Sequence, residues 1–62
     1  MTTTEQMDLI KRAEHLAGDI ATLAAAIGVR QQTVYRWRNG TRKMHGIAVR
    51  AVEQYIGEAS HA

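Results

Sequence analysis

The stretch that decides the fold is Leu23-Ala24-Ala25-Ala26-Ile27-Gly28-Val29-Arg30-Gln31-Gln32-Thr33-Val34-Tyr35-Arg36-Trp37-Arg38-Asn39-Gly40, in a chain of 62 residues. Apolar residues recur at helical spacing before Gly28, and the same period resumes after it with Val34 and Trp37. Gly28 supplies the sharp turn, and Ala24 lets two helices approach closely. The spacing predicts a helix-turn-helix, although a plain helical hairpin also needs a glycine and an apolar stripe.

The segment upstream of this stretch has the pattern of a first helix. Thr2 with Glu5, or Thr3 with Gln6, has the spacing of a capping box, so the helix is expected to begin there. Apolar residues then repeat at three and four positions until Gly18, which is expected to end the helix. Asp19, the next residue, is expected to cap the second helix.

The segment downstream predicts a fourth helix. Asn39 and Gly40 are expected to end the third helix, because both tolerate the left-handed conformation found at a helix C-terminus. Residues 41–46 form a basic turn without a clear period, and helical spacing returns from Ile47 to Gly57.

The overall pattern predicts an all-α protein. No run of β-branched residues alternates with polar ones, so strands have no support. We expect a compact four-helix domain over residues 1–57, followed by a short flexible tail over residues 58–62. Its core is thin, because many of its apolar residues are Ala, and a partner subunit or ligand is expected to add stability.

Composition argues against several classes of function. There is no Cys, and His15, His45 and His61 lack the spacing that places two metal ligands on one helix face, so no metal site is expected. The carboxylates are scattered and the only Ser is Ser60, so we expect no enzyme, no cofactor and no small-molecule substrate. No apolar run approaches the roughly 20 residues of a membrane span, so a soluble cytoplasmic protein without a membrane partner is expected.

Positive charge is concentrated in the middle of the chain. The net charge is only +2, yet no acidic residue lies between Val29 and Arg50. Such a block attracts polyanions, and the alternative interpretation is a merely solvated basic face. The cationic residues of the block are Arg30, Arg36, Arg38, Arg42, Lys43 and Arg50.

Residues 23–40 resemble the helix-turn-helix of the lambdoid phage Cro and repressor proteins. The resemblance covers about residues 19–40 well, and the flanking helices only by length and order. It implies a lambda-repressor-like domain that binds a double-stranded DNA operator as a symmetric homodimer, with the third helix of each copy in the major groove of one half-site. The small and apolar positions that carry the match are Leu23, Ala24, Ile27, Gly28, Val29, Val34 and Trp37.

On a helical wheel the third helix has an apolar side and a polar side. Val34 and Trp37 point inwards, so Trp37 is expected in the core and not stacked on a base. The resemblance implies that the first turn of this helix reaches base edges, where Gln pairs with adenine and Arg with guanine. The predicted base-reading residues are Arg30, Gln31, Gln32, Tyr35 and Arg36. Three alternatives stay open: the glutamines are only helix formers, Tyr35 packs on the next turn, or Arg36 binds a phosphate.

Phosphate contacts are expected from the N-terminus of the second helix and from the turn after the third. Ile20 stands where many family members have Gln, so only its backbone amide is expected to contribute. Arg38 has two possible roles, a phosphate contact or an ion pair with Glu14. The predicted phosphate-binding residues are Ile20, Ala21, Arg38, Asn39, Gly40, Thr41, Arg42 and Lys43.

These patterns predict a Cro-like repressor of transcription, with repression favoured over activation because the chain shows no second domain. We expect it in the cytoplasm of a bacterial host cell, associated with the nucleoid. Dimerisation is assigned to the fourth helix through Val52, Tyr55 and Ile56. The alternatives are an antitoxin- or excisionase-type DNA-binding factor, and a small helical adaptor that binds a protein through the fourth helix.

Overall fold

The structure, a computed structural model, describes residues 2–60, and within that range it contains four helices and no strand. The helices are α1 (Thr3–Ala17), α2 (Ile20–Ile27), α3 (Gln31–Asn39) and α4 (Gly46–Ala59). The predicted all-α, four-helix class is confirmed. None of the helices in this range is long and apolar enough to cross a membrane.

A capping box begins α1. The backbone N–H of Glu5 donates to Thr2 Oγ1 at 3.1 Å, and the backbone N–H of Thr2 donates to Glu5 Oε1 at 3.0 Å. The hydrogen bond from the Thr2 backbone, and after it the one with the Thr2 side chain, hold the pKa of Glu5 below its ordinary value. Of the two predicted boxes, the structure therefore contains Thr2 with Glu5, and Gln6 is free for another role.

A three-residue turn joins α2 to α3. Gly28 ends α2 with φ of 77°, a left-handed conformation that favours glycine, and the backbone N–H of Val29 donates to the carbonyl of Ala24 at 3.0 Å. Arg30 is the N-cap of α3, and its side chain makes no capping hydrogen bond. The predicted helix–turn–helix segment is thus α2, residues 28–30 and α3.

The core lies where α1 packs against each of the other three helices. Trp37 and Val34 are buried in it, as their phase on α3 predicted. The buried apolar residues come from all four helices and from the turn before α4: Ile10, Ala13, Ile20, Leu23, Ala24, Val34, Trp37, Met44 and Val52.

The end of α3 lies close against the start of α1. Gly40 has φ of 76°, and a Cβ atom built on it would lie 2.8 Å from Thr3 Cγ2. Both the left-handed backbone and the close approach require glycine at this position. This contact fixes where the chain leaves α3 and enters the basic turn.

The fourth helix departs from its predicted bounds at both ends. It begins at Gly46 instead of Ile47, and it continues through Gly57 to Ala59. Gly57 does not adopt a positive φ, so it does not act as a stop, and a hydrogen bond from Gln54 Nε2 to Glu58 Oε1 at 3.1 Å spans it. The predicted helix end at Gly57 is therefore wrong, because Glu58 and Ala59 are helical. The flexible tail over residues 58–62 stays a prediction, and its residues 61 and 62 lie outside the described residues.

Candidate nucleic-acid interface

One face of α3 is exposed and polar along its whole length. We call it the outer face of α3, and it consists of Gln31, Gln32, Tyr35, Arg36 and Asn39. The buried Val34 and Trp37 hold the opposite side of the helix against the core. Tyr35 is 47% exposed, so about half of its surface is accessible, and its contact with a base stays a prediction. All base-reading candidates on α3 therefore lie on an accessible surface.

Four cations lie on and beside this face, and we call them the basic surface: Arg30, Arg36, Arg42 and Lys43. All are exposed, and none makes an ion pair with a carboxylate of residues 2–60. Arg30 caps α3 with its side chain unused, while Arg42 and Lys43 follow its C-terminus. Unneutralised cations at both ends of a polar helix give the surface a positive potential.

Arg38 differs from the other cations of the block. Its Nε lies 3.1 Å from Glu14 Oε1, so of its two predicted roles the structure shows the ion pair. Glu14 Oε1 is buried and has no aligned hydrogen bond among the described residues, which makes Arg38 its balancing charge. A partly exposed pair of this kind contributes about 0.2–1 kcal/mol. The charge of Arg38 is therefore partly neutralised by Glu14, and its phosphate contact stays a prediction.

The turn after α3 uses most of its donors to close the helix. The backbone N–H of Gly40 donates to the carbonyl of Trp37 at 3.2 Å, and the N–H of Thr41 donates to that of Arg36 at 3.0 Å. The Thr41 hydroxyl also donates to the Arg36 carbonyl, at 3.2 Å. These donors close the helix, and phosphate contacts from Gly40 and Thr41 stay a prediction. Asn39 keeps a side-chain amide without a hydrogen bond to any other described residue.

A buried glutamine holds this turn to α1, which the sequence reasoning missed. Gln6 is only 4% exposed, and its Nε2 donates to the carbonyls of Trp37 at 3.0 Å and Arg42 at 2.7 Å. Its Oε1 accepts the backbone N–H of Met44 at 2.9 Å. The available signal was its position one turn before Ile10 on the buried stripe of α1. Gln6 thereby fixes the backbone on both sides of Lys43.

The N-terminus of α2 offers a weaker anion site than predicted. Ile20 is buried, as its apolar side chain suggests, and Ala21 is exposed. Asp19 Oδ1 accepts the backbone N–H of Thr22 at 2.7 Å, and this hydrogen bond holds the pKa of Asp19 below its ordinary value. The carboxylate places negative charge beside the amides of Ile20 and Ala21, which opposes a phosphate there. Contacts through these two amides stay a prediction.

The predicted dimer residues on α4 do not form an accessible surface. Val52 is 0% exposed and belongs to the core of its own chain, so its assignment to a dimer interface is wrong. Tyr55 and Ile56 are half-buried and pack against the same core. The reason is the phase of α4, whose core-facing stripe passes through Val52. The exposed apolar residue of this helix is Ile47.

Comparisons with protein-family models, with curated proteins and with solved structures give no match for this chain. The resemblance to Cro and repressor proteins therefore stays a prediction from residues 23–40, and the functional argument depends on the geometry of the outer face of α3 and of the basic surface.

Proposed function

We propose that the protein is a sequence-specific double-stranded DNA-binding regulator of transcription, a Cro-like repressor that binds a palindromic operator through α3 in the major groove. The supporting observation is the outer face of α3, an exposed polar helix face flanked by cations that no described carboxylate neutralises. This function requires neither a cofactor nor a catalytic group, and it places the protein on the nucleoid of a bacterial cell.

The dimensions and chemistry of α3 suit a major groove. An α-helix with its side chains is about 10–12 Å across, which matches the roughly 12 Å width of the groove, and the nine residues of α3 give it a length of about 13.5 Å. Gln31 and Gln32 present side-chain amides in the first turn, where each can pair with the N6 and N7 atoms of adenine. Arg30 and Arg36 can pair with guanine, and Tyr35 can contact a thymine methyl group.

Contacts with the sugar-phosphate backbone of the DNA are assigned to the turn after α3. Within residues 2–60, Arg42 and Lys43 make no ion pair and the side-chain amide of Asn39 makes no hydrogen bond, so these three side chains are assigned to phosphates. Because Gln6 fixes the backbone of Arg42 and Met44, the two cations extend from a rigid support. Less ordering is then needed on binding, which favours affinity.

The test compares a base-reading variant with a phosphate-binding variant. The preferred duplex is first selected from a random pool, and binding to it and to random DNA is then measured by filter binding over a range of salt concentrations. Gln32→Ala should relax preference at one position of each half-site by about 1–3 kcal/mol. Lys43→Ala should weaken binding to both DNAs similarly and reduce the salt slope by about one.

Two outcomes would contradict the proposal. Equal losses on selected and random DNA from Gln32→Ala would remove the base-reading role of that residue. The absence of any salt-dependent DNA affinity in the native protein would remove the function itself, and would favour an adaptor that binds another protein. An antitoxin- or excisionase-type factor would share the DNA-binding result, and a promoter-reporter assay separates it from a repressor.

A further inference from the structure

The outer face of α3 ends in a chemically reactive pair of residues. Asn39 is the only asparagine in the chain, and Gly40 follows it. A glycine in this position has no Cβ atom to hinder attack by its backbone nitrogen on the asparagine side chain. Asn39 is exposed, and its side-chain amide makes no hydrogen bond to any other residue between 2 and 60, so no described side-chain contact protects it.

The reaction available to this pair is deamidation. The backbone nitrogen of Gly40 attacks Cγ of Asn39 and loses its proton, a new N–Cγ bond closes a cyclic imide, and the Cγ–Nδ2 bond breaks to release ammonia. Water then adds to either carbonyl of the imide and opens the ring, so position 39 becomes aspartate or isoaspartate. Water is the only co-reactant, and either product has a carboxylate in place of the amide.

The hydrogen bonds that close α3 restrain this reaction. Asn39 is the last residue of the helix, and it must leave the helical conformation before the imide ring can close. The backbone N–H of Gly40 donates to the Trp37 carbonyl at 3.2 Å, and both the N–H and the hydroxyl of Thr41 donate to the Arg36 carbonyl, at 3.0 and 3.2 Å. The attacking nitrogen is therefore engaged as long as the turn stays closed.

Contacts with α1 restrain the turn further. Gln6 donates to the carbonyls of Trp37 and Arg42, which lie on either side of the reactive pair in the chain. Gly40 itself lies close against Thr3. Because a reaction that occurs only in a locally opened state follows the population of that state, these contacts set the rate of deamidation.

A carboxylate at position 39 would oppose binding to DNA. It would lie three residues after Arg36, a spacing at which opposite charges pair on a helix surface. Arg36 would then no longer offer an uncompensated charge to DNA. The new charge would also lie at the C-terminus of α3, where the helix dipole disfavours a negative group.

We propose that Asn39 deamidates spontaneously at a rate set by opening of the turn after α3, and that the carboxylate formed there weakens binding to DNA. The modification site depends only on the fold, whereas its effect on DNA rests on the proposed function. Bound DNA should slow the reaction, because phosphates held by Asn39 and Arg42 would stabilise the closed turn.

The first test follows the mass of the full chain during incubation at neutral pH, with peptide mapping to locate the change. The native protein should convert at Asn39, and more slowly than the same chain unfolded in urea. Gln6→Leu should react about tenfold faster than the native protein, because it leaves a buried N–H without an acceptor in the closed turn. Circular dichroism shows whether this variant is folded.

Thr41→Val is a milder variant at an exposed position, so it keeps the test valid if Gln6→Leu does not fold. It removes one hydrogen bond to the Arg36 carbonyl and should react about two- to fivefold faster than the native protein. Thr22→Val is the matched control, because Thr22 is an exposed threonine on α2, away from the turn. It should react at the native rate.

The second test compares fresh and incubated native protein on the selected duplex by filter binding over a range of salt concentrations. Incubated protein and Asn39→Asp should both bind more weakly than fresh protein, with the salt slope reduced by about 0.9, equivalent to one phosphate. Asn39→Gln is the control, because glutamine forms the corresponding imide far more slowly. Its affinity should not change on incubation.

Three results would overturn the inference. They are an unmodified folded chain after the urea-unfolded chain has converted, equal rates in the native protein and Thr41→Val, and DNA binding that conversion of Asn39 leaves unchanged. Absence of DNA affinity in fresh protein would instead overturn the proposed function. The mass measurement needs no DNA, so the two failures are distinguishable.

Discussion

Replacing Gln6 by Leu tests whether one buried amide holds the turn after α3 to the rest of the domain. The substitution keeps a side chain of similar size in a site that is 4% exposed, but it removes three hydrogen bonds. The backbone N–H of Met44 then lies buried without an acceptor, while the carbonyls of Trp37 and Arg42 lose their donor.

The expected loss of stability depends on whether each of the three backbone groups bonded to Gln6 keeps another hydrogen-bond partner. An unsatisfied buried polar group costs about 1–3 kcal/mol. The Trp37 carbonyl still accepts the N–H of Gly40 at 3.2 Å, and the Arg42 carbonyl is only partly buried and can be hydrated. Met44 N–H therefore accounts for most of the loss, and we expect Gln6→Leu to lower the free energy of unfolding by about 2–3 kcal/mol. In a domain of this size that corresponds to a decrease in Tm of about 10–20 °C.

Thermal and urea unfolding followed by circular dichroism measure this loss. Gln54→Leu is the matched control, because Gln54 is exposed and its hydrogen bond to Glu58 lies on the surface. Its free energy of unfolding should change by less than about 0.5 kcal/mol. If Gln6→Leu were as stable as the native protein, the buried hydrogen bonds would not hold the turn, and the argument for a rigid support of Arg42 and Lys43 would be refuted.

Two further predictions concern the ends of the helices. Gly40→Ala should destabilise the domain by about 1–3 kcal/mol, because the φ angle of Gly40 is positive and the new Cβ atom meets Thr3. Gly57→Ala should stabilise the domain by about 0.5–1 kcal/mol, because Gly57 lies inside α4 with open space around it. Urea unfolding of the two variants checks the contrast, and equal effects would contradict it. The pKa of Asp19 is lowered in the folded state by its hydrogen bond with Thr22, so its stabilising effect is complete above the pKa of the unfolded chain and is lost as the pH falls through the folded value. As the pH is lowered from about 5 to about 2, the free energy of unfolding of the Asp19→Ala variant should therefore decrease less than that of the native protein. Equal decreases in the two proteins would disprove the stabilising role of the Asp19 carboxylate.

The positions of most helix ends were predictable because the interactions that set them are local. A capping box, an N-cap carboxylate and a left-handed glycine each involve residues within about five positions of one another. Asp19 and Gly28 therefore act as their sequence context indicates. Gly57 shows the limit of this reasoning, since a glycine stops a helix only where the chain adopts a positive φ, and here it does not.

The residues that sequence reasoning misplaced depend on distant contacts. The apolar arc of α4 is wide enough that either the stripe through Val52 or the one through Ile47 can face the core, and packing of α4 against α1 and α2 selects the former. Gln6 satisfies three groups that lie 31 to 38 residues away, and no local pattern reveals those partners. Both errors arise from tertiary packing. Local sequence determines that a helix forms, but contacts with distant residues determine which of its faces is buried.

The first helix determines which cations of the basic block remain available, although it contributes no residue to the proposed DNA contact. Glu14 pairs with Arg38, and Gln6 fixes the turn that carries Arg42 and Lys43. The charges left without a carboxylate partner among residues 2–60 on this surface are those of Arg30, Arg36, Arg42 and Lys43. If each neutralised one phosphate, the salt slope for one half-site would be about −3.6. A slope of this size is moderate, so electrostatic binding to arbitrary DNA would be limited. Discrimination between sequences would then depend on the side-chain amides and the Tyr35 ring of the outer face of α3. Under the proposed function, the ion pair between Arg38 and Glu14 would thus favour discrimination between sequences over salt-dependent affinity for any DNA.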